Sequence, residues 1–385
     1  MFKYKRAEQC DVVIKSGLNI KMGGVILSLF LGIVLILICK VFGMWIFKDK
    51  PKSGLPDGSM WHFPLIGETL GFLKPHKSNS LGFFLQDHCS SYGNIFRSHL
   101  FGSPTVVSCD LELNAFILQN EETLFGSSYP KPVHDILGKL SMMLVSGSLH
   151  KKLRSVALSF INASKSSPEF LSYVDSFSLS VIHSWTSLST PLYFFKEAKK
   201  LTFYLMLKNL LSIEPDDPIA ENILEEFFTF MKGFVSLPVY FPGTAYSKAL
   251  KREKMMKNAR GDFVDEVVQR DGLNDEEKVS VLMDLLFAGY ETTSGLMAFV
   301  VYFLAKAPSA LQKLREEHQS LRKDGESLNW EDYKKMEFTS HVINEALRCG
   351  NLVKFVHRKA LKDVKFKGSI NSCMINHKKY KDIGL

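Results

Sequence analysis

The longest continuous pattern in this 385-residue chain runs from position 275 to position 306. Asp275, Glu276 and Glu277 open it on acid, which suits the positive end of a helix dipole. Asn274 precedes them as an N-cap, and Glu277 stands three residues later, the spacing of a capping box. From 279 to 304 the residues are apolar nearly all round, and Pro308 closes the pattern. A helix without a polar face is surrounded by other elements, so this is the expected buried central helix. Apolar residues at helical spacing predict further helices over 176–188, 201–211 and 224–234, the last ended by Pro238, Pro242 and Gly243. An amphipathic, charged helix follows over 309–322, and 329–349 holds another helical pattern. Strand signals are few; the clearest is 106–109, after the turn Phe101-Gly-Ser-Pro104. No internal repeat is present, and the pattern predicts a mainly α fold with small β pieces.

One stretch near the N-terminus is apolar in a different way. Positions 22–39 carry no charge, Lys40 interrupts, and 41–47 resumes the run. That is long enough to cross a hydrocarbon core of about 30 Å. No small-residue cleavage site follows, so 22–47 reads as a retained transmembrane signal-anchor. Lys48, Lys50 and Lys52 behind it keep the rest of the chain cytosolic, whereas Lys3, Lys5, Arg6, Lys15 and Lys21 in front argue the reverse. A start at Met22 removes that conflict, so residues 1–21 are expected to be a non-native leader. Residues 48–62, with Pro51, Gly54, Pro56 and Gly58, form a stiff hinge, and the compact region begins at Phe63.

Composition narrows the function classes. The chain is 46% hydrophobic and 23% charged, which is globular rather than disordered or fibrous. Its 30 phenylalanines can build a core or wall a greasy ligand. The net charge of +8 fits solvated lysines or a basic face for anionic lipid or an acidic protein. No zinc-finger spacing, RNA-binding aromatic signature or basic heptad arm is present, so nucleic acid is not an expected partner. The six cysteines are scattered without a Cys-x-x-Cys pair, which suits a reducing compartment. Gly-x-Ser-x-Gly and His-Glu-x-x-His are absent, which disfavours a serine hydrolase or a zinc enzyme.

Candidate chemistry sits where the helical patterns carry the wrong residues. Gly289 and Glu291 interrupt the central apolar run, followed by Thr292 and Thr293. Glycine costs about 1 kcal/mol against alanine in a helix, and an unpaired buried carboxylate costs more. Either the helix opens locally beside a ligand, with Glu291 and Thr292 handling protons, or this is an exposed patch. Glu345 and Arg348 share a helix face at i and i+3. His150 and Arg154, at i and i+4, offer two cations that can grip a pair of carboxylates or face water.

Taken in order, these elements resemble the cytochrome P450 family. The order is membrane anchor, proline hinge, His-x-x-x-Arg helix, long helix with Ala288-Gly-Tyr-Glu-Thr-Thr293, then Glu345-x-x-Arg348. The resemblance covers about residues 22–368. Leu65-Ile-Gly-Glu-Thr-Leu-Gly71, Leu237-Pro-Val-Tyr-Phe-Pro-Gly-Thr-Ala-Tyr246 and Phe355-Val-His-Arg-Lys-Ala-Leu-Lys-Asp-Val364 are similar to plant brassinosteroid C-22 hydroxylases of the sterol-oxidising clan. The resemblance implies a haem-thiolate monooxygenase that hydroxylates a sterol side chain at C-22. Its expected cofactors are haem b, O2 and NADPH through a reductase. Its expected partners are NADPH–cytochrome P450 reductase, a sterol or steroid substrate and the endoplasmic reticulum membrane, in which it would be single-pass with a cytosolic catalytic domain. By the same resemblance Glu291 and Thr292 relay protons to bound oxygen and Gly289 leaves space for it. His150, Arg154 and Arg358 hold the haem propionates, and Glu345 and Arg348 lock their helix behind the haem. Lys151 and Lys152 offer a docking patch for the reductase.

One family feature is missing from these residues. The family carries Phe-x-x-Gly-x-x-x-Cys-x-Gly after the Glu-x-x-Arg helix, and that thiolate is the fifth iron ligand. Here Cys349 directly follows Arg348, and Cys373 stands in Ile370-Asn-Ser-Cys-Met-Ile375, without the Phe or the glycines. No metal ligand is therefore assigned, and 369–385 reads as a non-homologous polar tail without a period. The expectation is a cytochrome P450 domain over 63–368 that lacks the C-terminal cysteine-loop region. Beside the enzyme stands a second reading, a catalytically inactive, membrane-tethered, truncated chain.

Overall fold

Thirty residues of α-helix, Asp275–Leu304, run through the middle of the computed structural model, and five other helices pack on them. The structure describes residues 32, 55–59, 67–77, 80–165, 167–187, 189–234, 240, 242–258, 273–321, 329–353, 355–366, 373–375 and 382–384. The predicted anchor over 22–47, the leader and most of the hinge lie outside these residues.

In chain order the helices are α1 (Thr69–Phe72), α2 (Phe83–Tyr92), α3 (Leu111–Gln119), α4 (Lys131–Leu137), α5 (Gly147–Ser164), α6 (Pro168–Thr186), α7 (Phe194–Leu211), α8 (Pro218–Phe234), α9 (Ala245–Asn258), the central α10 (Asp275–Leu304), α11 (Pro308–Leu321), α12 (Trp330–Lys334) and α13 (Glu337–Gly350). The strands are β1 (Ile95–Leu100), β2 (Ser103–Ser108), β3 (Phe125–Ser127), β4 (His357–Ala360), β5 (Val364–Phe366), β6 (Cys373–Ile375) and β7 (Asp382–Gly384).

The sequence places helix starts where capping chemistry allows them. The capping box of α10 forms as expected: Glu277 N–H donates to Asn274 Oδ1 at 2.9 Å, and Asn274 N–H donates to Glu277 Oε2 at 3.1 Å. Pro168, Pro218 and Pro308 each begin a helix, where a missing N–H leaves no bond unmade. The single pattern over 329–349 divides into α12 and α13. Lys335 and Met336 separate the two, because Asn329 caps α12 by accepting from Glu331 and Asp332, and only one turn follows.

Five strands form one sheet in the order β1-β2-β7-β4-β3, and β5 pairs with β6 in a second. β1 and β2 form an antiparallel hairpin with Ile95 opposite Ser108 and Leu100 opposite Ser103. β7 runs parallel to β2 and antiparallel to β4, so it bridges the hairpin and the late strands. Both β6 and β7 come from 369–385. The segment read as a polar tail without a period thus contributes two three-residue strands, too short to show a period of their own.

The main core lies between α4, α5, α7, α8, α9 and α10. Tyr290 of α10 is 1% exposed at its centre. Phe203 and Phe227 meet its ring edge-on at centroid distances of 6.1 and 5.2 Å. This packing positions the middle of α10 and determines which of its faces stays free.

Candidate active site on the central helix

Around Tyr290 the central helix has two different faces. Tyr290, Ser294 and Gly295 are buried, whereas Ala288, Thr292 and Thr293 are exposed. An exposed strip in the middle of a core helix is a place where a ligand can be received. Thr292 Oγ1 donates to the carbonyl of Ala288 at 2.5 Å. Ser294 Oγ donates to the carbonyl of Tyr290 at 2.7 Å, and Thr202 Oγ1 of α7 donates to the same carbonyl at 3.3 Å. Three hydroxyls thus compete for helix carbonyls within two turns, which weakens the local ladder. Of the two readings of this segment, the structure shows the exposed patch and not the local opening, because α10 stays α-helical throughout.

Glu291 and Thr292 are divided by this geometry. Glu291 is bound by Lys199 of α7, Nζ to Oε1 at 2.9 Å. Lys199 in turn stands 4.6 Å from the ring centre of Phe195 and 5.3 Å from that of Tyr290. The carboxylate is therefore anchored between helices, while the Thr292 hydroxyl lies on the open strip. Gly289 needs a correction. A Cβ there would lie 2.6 Å from Met206 Sδ, so Gly289 lets α7 approach α10 and leaves no space of its own. The open position is its neighbour Ala288.

His150 and Arg154 lie one turn apart on α5, and neither has a hydrogen bond or an ion pair among the described residues. Arg358 is not free: its Nε lies 3.1 Å from Glu121 Oε1, and its Nη1 donates to the His357 carbonyl at 3.0 Å. Glu345 and Arg348 grip each other bidentately at 2.7 and 2.6 Å. Their side chains are 60% and 71% exposed, and among the described residues they hold no further element in place except Cys349, which Arg348 contacts at 3.3 Å. The guanidinium beside Glu345 holds that carboxyl down to about 2. Lys152, expected in a docking patch, is bound to Glu277 of the α10 capping box at 2.7 Å; Lys151 is exposed.

Two residues escaped the reading of the sequence. Lys199 gave no local signal, because its partner is 92 positions away. Asp284 did give one, a carboxylate inside an apolar run. It is 6% exposed, takes the Ser141 hydroxyl at 2.7 Å and takes the Met142 amide at 2.6 Å.

Comparison with known proteins bears on this arrangement. The cytochrome P450 family pattern matches residues 240–371, which include α10 and α13. Cytochrome P450 724B1 of Oryza sativa subsp. japonica is 48% identical over 342 residues, covering 83% of this chain and 71% of that protein. Cholesterol 22-monohydroxylase CYP90B52 of Paris polyphylla is 42% identical over 366 residues, covering 88% and 77%. Steroid (22S)-hydroxylase of Brachypodium distachyon is 43% identical over 347 residues, covering 83% and 68%. The retinoic acid-bound cyanobacterial CYP120A1 shares the fold, with a TM-score of 0.71 at 20% identity over 87% of this chain and 77% of that one. The fold and the open strip define a helical protein built to present one helix face to a bound group. The chain belongs to the cytochrome P450 family.

The family implies haem, and the residues present can be tested against it. Ala288 and Thr292 are exposed on α10, and His150 and Arg154 on α5 make no hydrogen bond or ion pair among the described residues, so both sets remain available to such a group. Among the described side chains, no cysteine stands in the setting that would hold the haem iron. Cys109 contacts Cys89 in the core beside β2, and Cys349 bonds Arg348 and Glu345. Among the described residues no cluster of metal-ligating side chains occurs.

Proposed function

We propose that this protein is a plant steroid monooxygenase that hydroxylates the sterol side chain at C-22. The carrying observation is identity of 42–43%, over more than four-fifths of this chain, to relatives named as cholesterol 22- and steroid (22S)-hydroxylases. The exposure of Ala288 and Thr292 beside the buried Tyr290 supports it from the structure. Haem, when bound and supplied with electrons from NADPH through a reductase, contributes activation of O2 for insertion into a C–H bond. The remaining roles belong to this chain. Thr292 holds a proton-bearing oxygen on the strip, 2.5 Å from the Ala288 carbonyl. Lys199 fixes Glu291 beside it as a proton reservoir. His150 and Arg154 supply positive charge for carboxylates, and Arg358 joins them once it leaves Glu121. The uncharged run at 22–39 supports a membrane-bound location, and the likeness to the family supports the endoplasmic reticulum as its site.

The second reading, an inactive membrane-tethered chain, rests on one sequence observation: none of the six cysteines lies in a Phe-x-x-Gly-x-x-x-Cys-x-Gly loop. One absorption measurement separates the readings. The chain is expressed with haem supplied, reduced and exposed to carbon monoxide. A thiolate-type Soret band supports the enzyme for these 385 residues. No such band supports the inactive reading, and expression from a transcript read past the codon for Gly368 then shows whether the gene supplies the thiolate.

A further inference from the structure

Two cysteines meet in space among the described residues, and the proposed chemistry uses neither. Cys89 lies in the last turn of α2, and Cys109 directly follows β2. The backbone builds their approach. The antiparallel register that sets Ile95 opposite Ser108 brings Asn94 level with Cys109, and the Cys109 amide donates to the Asn94 carbonyl at 2.7 Å. Gly93, at a φ of 88°, turns the chain out of α2 and into that pairing. A side chain at position 93 would be strained at this φ, which is why a glycine makes the turn. The Gly93 amide donates back to the Cys89 carbonyl at 3.0 Å. Cys89 is thus one hydrogen-bonded turn away from the chain that faces Cys109, and the Cys109 thiol hydrogen-bonds to its sulfur.

The end of α2 is fixed in this position. His88 bonds Glu68, Nε2 to Oε1 at 3.2 Å, and stacks on Phe84 with ring centres 4.2 Å apart. Cys89 and Cys109 both pack on the cluster of Phe84, Leu85, Phe96, Leu100 and Val107. Both remain half-buried, so a small oxidant reaches them from solvent. Among the described residues no third ligating side chain joins the pair, so the arrangement is not that of a metal site. Two thiols held in contact by separate elements are placed for a different reaction, the one that joins them.

We propose that Cys89 and Cys109 form a dithiol–disulfide modification site that ties α2 to the end of the β1–β2 hairpin when the surrounding glutathione is oxidised. In a reducing compartment the pair stands as two thiols. With glutathione disulfide as the oxidant, the Cys89 thiolate attacks one of its sulfurs and releases one glutathione, which takes up the proton that Cys89 gave away. Cys109 then loses its proton to solvent, and its sulfur attacks that of Cys89. The bond from Cys89 to the second glutathione breaks, and that glutathione leaves and is protonated. Two protein thiols are oxidised to one disulfide, and one glutathione disulfide is reduced to two thiols. Burial and the bond to Cys89 push the Cys109 thiol up to about 12, which suits Cys109 to the second step. There its fixed contact with Cys89 offsets weak ionisation. The new bond closes residues 89–109, a loop that holds both strands of the hairpin. β2 carries β7, and β7 carries β4, so the bond braces one end of the five-stranded sheet.

The test equilibrates the full chain, folded and in detergent, with mixtures of glutathione and glutathione disulfide. Remaining thiols are alkylated, and the digested protein is read by mass spectrometry. A peptide joining Cys89 to Cys109 should grow with the oxidised fraction, vanish on addition of dithiothreitol and form equally in Cys349→Ser. Cys89→Ser should abolish it and leave Cys109 open to alkylation. Both thiols staying open to alkylation in the most oxidised mixture overturns the proposal. Glutathione carried separately on the two cysteines overturns it as well, and so does a link that forms only after denaturation. Hydrogen–deuterium exchange over 83–109 reads the bracing. Opening of this segment should be about a hundredfold rarer in the linked form, the effect expected from closing a loop of this length. Equal exchange in linked and reduced protein overturns the bracing of the sheet.

Discussion

At the residue scale, Thr292 and Glu291 are adjacent in sequence but differ in what surrounds them. Thr292 is exposed and bonded only within its own helix, so its removal leaves no buried partner unsatisfied. Thr292→Ala should therefore change unfolding free energy by no more than about 0.5 kcal/mol. It should lower steroid hydroxylation about a hundredfold, and Thr292→Ser should restore most of it. Thermal unfolding and product yield, measured together, check this pair. Another residue-scale test concerns the Glu68–His88 contact, Nε2 to Oε1 at 3.2 Å, with Ser98 also donating to Glu68. Burial alone would push His88 down, but the hydrogen bond and charge of Glu68 outweigh it and hold the imidazole above 6.5. Burial opposes the same pairing at Glu68, yet His88 and Ser98 hold that carboxyl below 4.5. The raised histidine contributes fully below 6.5 and is lost as pH rises through its folded pKa. The lowered glutamate contributes above 4.5 and is lost as pH falls through its own. Melting curves should show His88→Gln furthest below wild type between these two values, with the gap closing at higher pH.

At the scale of elements, the central helix was readable because several levels agree along it: an acid start, a capping box, an apolar body and a closing proline. α6, α7 and α8 were found with later starts than they have. α6 begins on a Ser167 cap and Pro168 and α8 on Pro218, ahead of the apolar repeat, whereas α7 begins at Phe194 without a side-chain cap. Strands β3, β4 and β5 have three or four residues and no alternation to read. The site divides along the same line. Thr292 and Glu291 announce themselves as polar residues in an apolar run, but Lys199 and Ser141 become partners only through the packing of α7 and of residues 138–146. The contact between α10 and α13 makes an element-scale prediction. A Cβ on Gly350 would lie 2.3 Å from Phe299 Cδ2, and one on Gly295 would lie 2.6 Å from Leu352 Cδ1. Gly350→Val should therefore push α13 away from α10 and destabilise by about 1–3 kcal/mol, measurable by denaturant unfolding. Glu345→Gln, by contrast, breaks an exposed pair and should change stability little in these 385 residues.

At the scale of the whole molecule, the helices of one core leave Ala288, Thr292 and Thr293 uncovered midway along α10, and the sequence relatives suggest a chemistry for that strip. The account joins the two: an apolar steroid presents its side chain to Thr292. Membranes carrying the protein and a plant NADPH–cytochrome P450 reductase, fed cholesterol and NADPH, provide the most direct test by mass spectrometry of the product. The account predicts a single hydroxyl at C-22, formed only with NADPH and strongly reduced by Thr292→Ala. Hydroxylation at another carbon, or no product where the Paris polyphylla relative converts cholesterol in parallel, would contradict it.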